Sequence, residues 1–96
     1  MYYGTLVRMA DDSKLLIERI QTGVRIEKRL LKVLKAFAEY HDITLGDLLE
    51  GIVLHAFEGK GAFTEETLAQ IVRLREIYGL TLTATDSHQL TEEQPS

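Results

Sequence analysis

Few residues in this chain combine a type and a spacing that could do chemistry. Three histidines, His41, His55 and His88, are the first candidates. Metal centres need ligands that converge from characteristic spacings, and none of the three is paired with another ligand in that way, so no metal is expected. His55 falls on an expected helix and reads as a surface or boundary residue. The chain has no cysteine, which removes disulfides, thiolate metal sites and cysteine nucleophiles. No Ser-His-Asp order, glycine-rich phosphate loop or carboxylate pair is evident; Glu65-Glu66 reads as a helix start and Glu92-Glu93 as part of a tail. The expectation is a protein that is not an enzyme and uses no cofactor.

Cations offer a second kind of chemistry. Between Arg19 and Lys35 there are six of them (Arg19, Arg25, Lys28, Arg29, Lys32 and Lys35) against one acid, Glu27. From Ala62 to Ser96 the balance reverses, with two basic residues and six acidic. A net charge of −4 argues against nucleic acid when taken alone. The distribution matters more, because phosphate contacts need only a locally basic face.

The elements that must position these cations follow from periodicity. Thr22, Val24 and Ile26 alternate with Gln21, Gly23 and Arg25, the period of a short half-exposed strand. From Glu27 to Tyr40 the period becomes helical: Leu30, Leu31, Leu34, Phe37 and Ala38 share a stripe with Val33 at its border, and Glu27 suits the positive helix start. Asp42 tolerates a left-handed backbone and can close that helix. Thr44, with Asp47 three residues on, resembles a capping box that opens a second helix to about Phe57. Its apolar face is Leu45, Leu48, Leu49, Ile52, Val53, Ala56 and Phe57. Gly51 within it reads either as a site of close helix approach or as a tolerated weak helix former. Thr64 caps a third helix, with Phe63 and Leu68 spaced as a hydrophobic staple and Gly79-Leu80 as a Schellman-type stop.

Around these elements, residues 1–20 form an arm of uncertain structure. Tyr2 to Met9 reads as a strand, and Ser13 to Arg19 as a turn or two of capped helix. Residues 21–58 form the central module and 62–80 the third helix, leaving 81–96. There Leu80 to Thr85 reads as a further strand and Asp86 to Ser96 as a disordered tail. A lone strand leaves its backbone groups unpaired, so Thr22–Ile26 needs a neighbour. That neighbour is either the same strand of a second copy, antiparallel about a two-fold axis, or an intrachain partner at Tyr2–Met9 or Leu80–Thr85. At 96 residues one domain is expected, and a second copy would enlarge its modest core. No apolar run approaches the roughly 18 residues of a membrane span, and Met1 to Ala10 lacks a signal-peptide layout. A cytoplasmic protein is expected.

The stretch VRIEKRLLKVLKAFAEYHDITLGDLLEGIV, residues 24–53, resembles the ribbon-helix-helix repressors of the Arc/MetJ/CopG type. Val24, Arg25, Ile26 and Glu27 match the apolar–basic–apolar strand and acidic helix start; Leu30, Leu34, Ala38, Leu48 and Ile52 match core positions without a gap. The pattern covers roughly a third of the chain and consists mostly of core residues. Asp42 stands where the family's turn usually has glycine, Gly46 replaces a polar position, and Gly23 sits at the centre of the outward strand face.

The resemblance implies a mainly α fold of one strand plus two helices per chain, intertwined as a homodimer, here with an additional C-terminal helix. It implies a sequence-specific, repressor-like DNA-binding regulator whose two-stranded ribbon lies in the major groove. Gln21, Gly23 and Arg25 would then face base edges, arginine suiting guanine and glutamine adenine. The start of the second helix, Thr44, Leu45 and Gly46, would hold a phosphate through its backbone N–H groups, and Lys28 would touch the DNA backbone. The alternative is a protein-interaction dimer, or an antitoxin-like protein whose acidic C-terminal third, residues 62–96, binds a partner protein.

Overall fold

A computed structural model describes residues 15–93. Three α-helices follow a non-helical arm: α1 (Lys28–Tyr40), α2 (Leu45–Phe57) and α3 (Glu65–Tyr78), and a 3-10 turn at Ala84–Asp86 comes after them. α1 is central and packs against both α2 and α3.

Local chemistry explains each boundary. Glu27 is the N-cap of α1, where its carboxylate accepts the Leu30 N–H at 2.8 Å. Asp42 takes the left-handed conformation (φ 57°) that ends α1, and the Ile43 N–H returns to the Ala38 carbonyl at 3.0 Å. Thr44 caps α2 through the Asp47 N–H, and Thr64 caps α3 through the Thr67 N–H, at 3.0 and 3.2 Å. Gly79 (φ 68°) stops α3: the Leu80 N–H bonds to the Arg75 carbonyl at 2.8 Å and the Leu80 side chain is buried.

The core sits where the three helices meet. Phe37, Ala38 and Leu48 are buried, and Leu34, Ile43, Ile52, Phe63, Ile71 and Leu74 pack on them. Val33, expected at the border of the α1 stripe, is buried, whereas Leu30 is exposed. Phe63 turns inward, its ring edge-on to Phe37 at 5.3 Å, while its expected staple partner Leu68 is exposed.

The expected ribbon-helix-helix architecture is not the fold. Among the described residues there is no strand, neither at Thr22–Ile26 nor at Leu80–Thr85. Alternation of apolar and polar residues specifies which side each residue faces but supplies no partner backbone. The arm finds none among the described residues, and Leu80–Thr85 leads into the 3-10 turn instead. There Thr83 and Asp86 form a reciprocal capping box. The tail expected to be disordered follows a defined course to residue 93: the Gln89 side chain bonds to the Thr85 carbonyl at 3.0 Å, and Glu92 reaches the arm. Residues 15–19 are not helical; the expected strand at Tyr2–Met9 and the Ser13 cap lie outside the described residues.

Candidate nucleic-acid interface

The arm runs into α1, and the cations of both, Arg19, Arg25, Lys28, Arg29, Lys32 and Lys35, are exposed. Gln21, Gly23 and Arg25 are all exposed, as is Lys28 in the first turn of α1. Apolar arm residues are exposed too, with Ile20 at 84% and Val24 at 71%. Among the described residues nothing covers the arm at those two positions.

Two arginines hold the arm in place. Arg19 meets Glu50 of α2 in a two-point pairing, Nε and Nη2 each 2.8 Å from a carboxylate oxygen. Arg25 pairs in the same manner with Glu92, its Nε 2.8 Å from Oε1 and its Nη2 bonded to Oε2. Two-point pairing fixes geometry as well as charge. All four side chains are largely exposed, so screening by water and salt keeps these pairs weak. The hydrogen bonds from arginine hold Glu50 and Glu92 below the usual carboxylate range. The Leu30 N–H does the same for Glu27 at the start of α1.

The other expected contacts lie at the start of α2. Thr44, Leu45 and Gly46 open that helix, and the Thr44 hydroxyl is engaged by Asp47. A helix start leaves its first N–H groups without intrahelical partners. A Cβ placed on Gly46 would meet only the Thr44 hydroxyl at 4.0 Å, so no other group crowds that position. Asp47 and Glu50 make the local field negative, and Arg19 opposes it, lying close enough to both to feel their charge. Arg25 therefore carries two capacities: a planar donor fork suited to guanine, and a carboxylate already bound to that fork.

Comparison with known proteins finds no match. No family model, no curated protein and no solved structure matches the chain. The resemblance over residues 24–53 therefore rests on those residues alone. Sequence reasoning missed both arginine–carboxylate pairs, whose members are 31 and 67 positions apart and carry no local signature. The 3-10 turn had a readable signal, a threonine and an acid three positions apart at Thr83 and Asp86. Two of the histidines make contacts within the chain. His41 lies against the Phe37 ring at 4.3 Å and its Nε2 donates to Gln70 Oε1 at 2.9 Å, while His55 Nδ1 is 2.7 Å from the Gly51 carbonyl oxygen. Among the described residues no cluster of His, Asp or Glu could hold a metal ion, and no helix is long and apolar enough to cross a membrane.

Proposed function

We propose that this chain is a DNA-binding regulator, repressor-like in action, that works as a homodimer and meets duplex DNA through its arm and the first turn of α1. The observation that carries this reading is the arm itself. It is exposed, it presents Gln21 and Arg25 beside Lys28, and its Ile20 and Val24 are left uncovered by the other described residues. Arginine and glutamine can each recognise a base by paired hydrogen bonds, contributing about 1–3 kcal/mol of discrimination per good pair. Lys28 and the N–H groups at Thr44–Gly46 supply phosphate contacts, which position the protein without reading sequence. A cytoplasmic location belongs with this reading.

Selection of bound sequences from a random duplex pool, with sedimentation at matched salt, tests it. Enrichment of a palindromic site by a dimer is the expected result, and Arg25→Ala should erase the sequence preference while leaving the dimer intact. A dimer that ignores duplex DNA at low salt would sink the proposal.

The pairing of Arg25 with Glu92 favours a second reading, in which the chain is a protein-interaction dimer or an antitoxin-like protein. The net charge of −4 agrees with it. Against the antitoxin form, α3 packs on α1 within one chain.

A further inference from the structure

A groove of about 900 Å³ runs between α1 and α3, apart from the arm. Both walls are built on helical spacing: α1 contributes positions 32, 35, 36, 37, 39 and 40, and α3 contributes 70, 73, 74, 77 and 78. Each wall is thus one helix face, and the space between two such ridges suits a third helix laid along them. Phe37 is buried and Ala36 and Leu74 are half-buried, while Tyr40 and Ile77 line the groove yet remain 72% and 70% exposed.

The charges at the groove are uneven. Lys32, Lys35 and Arg73 line it against one carboxylate, Glu39. Among the described residues, none of the three cations lies within ion-pair distance of a carboxylate. This gathering of cations occurs on a chain with 15 acidic and 11 basic residues. Complementarity then requires an occupant that is apolar along its centre and acidic at its edges.

We infer that the α1–α3 groove is a docking site for an acidic amphipathic helix of a partner protein. The apolar ridge of that helix lies on Ala36, Leu74 and Ile77, and its flanking carboxylates meet Lys32, Lys35 and Arg73. This names a surface and a partner chemistry for the second reading above, and it holds whether or not the arm binds DNA. Single-stranded nucleic acid is the competing occupant, since Tyr40 and Tyr78 beside cations could stack bases. The apolar centre made by Ala36, Phe37, Leu74 and Ile77 offers no hydrogen-bond partner to a base edge and suits the apolar ridge of a helix.

The probe is a labelled helical peptide with leucines at i, i+3, i+4 and i+7 and glutamates on both flanks, titrated into the full chain at low salt. Controls are the same peptide with lysines in place of glutamates, and a thymidine oligonucleotide. The expected result is saturable binding of the acidic peptide alone, weakened by added salt. The Lys35→Glu/Arg73→Glu double variant should weaken it by about tenfold or more. Ile77→Asp, at an exposed position, should weaken it as well while circular dichroism stays unchanged. No binding of the acidic peptide, equal binding of the basic peptide, or preferential binding of the oligonucleotide would each overturn the inference. Loss of duplex-DNA binding in Arg25→Ala with peptide binding retained would keep the two sites distinct.

Discussion

Glu92 and a nucleic-acid phosphate or base compete for the same guanidinium, because the fork of Arg25 is filled once both of its donors point at a carboxylate. If the arm meets DNA, the pair must open first. Glu92→Gln removes the charge and keeps the shape, so it should raise duplex affinity several-fold at low salt, measured by fluorescence anisotropy, with little change in helix content. An unchanged affinity would mean that Arg25 does not contact DNA. Acid has a related effect. Glu50 and Glu92 sit below the usual carboxylate range when folded, so their contribution is present above the unfolded value and is lost as pH falls through the folded value. Proteolysis within the arm should therefore speed up as pH falls below the ordinary carboxylate range, with α1–α3 still helical at the start of that descent. In the core, Phe37 touches both Phe63 and His41, and Phe37→Ala should cost about 3–5 kcal/mol in urea unfolding.

Among the elements, α2 is the least completed. Of its expected apolar face only Leu48 is buried, while Val53, Ala56 and Phe57 are exposed. Gly51 lies on this helix, and a Cβ placed there meets nothing within 4 Å. Alanine should therefore stabilise the single chain by about 1 kcal/mol through helix propensity, read by thermal unfolding at low concentration. If Gly51→Ala instead lowers stability only at high concentration, a second copy approaches α2 at that point, which is the close-approach reading of this glycine. The contrast between helices and arm shows what a sequence makes legible. All three helices could be read because their signals are local: Thr44 and Thr64 at starts, Asp42 and Gly79 at stops, each acting within a few residues. The candidate site was legible only as exposed residue types. Where the arm rests depends on Glu50 and Glu92, acids that sequence position does not tie to Arg19 or Arg25. The strand expectation failed for the same reason, since a backbone partner is a non-local requirement.

At the level of the whole molecule, the exposed apolar groups decide what the chain does next. Ile20 and Val24 on the arm are uncovered, and so on α2 are Leu54 at 62% and Phe57 at 81%. No described side chain is completely buried, so one copy encloses little core of its own. Large apolar surface left in water favours association, and a second copy is the partner always present at matching concentration. The chain should sediment as a dimer at micromolar concentration, and its thermal midpoint should rise with concentration, as mass action requires. Leu54→Glu with Phe57→Glu places charge on the α2 surface without touching Phe37, Ala38 or Leu48, so it should give a monomer with its helices intact. DNA binding then separates the two functional readings. A regulator that reads a palindrome needs two arms, so the monomer should lose preference for the selected site and keep only weak, salt-sensitive attraction to any duplex. If the monomer recognises the site as well as the wild type does, recognition does not depend on two-fold pairing of the arms. If the wild type itself sediments as a monomer at every concentration, the exposed faces of the arm and α2 belong to a different partner.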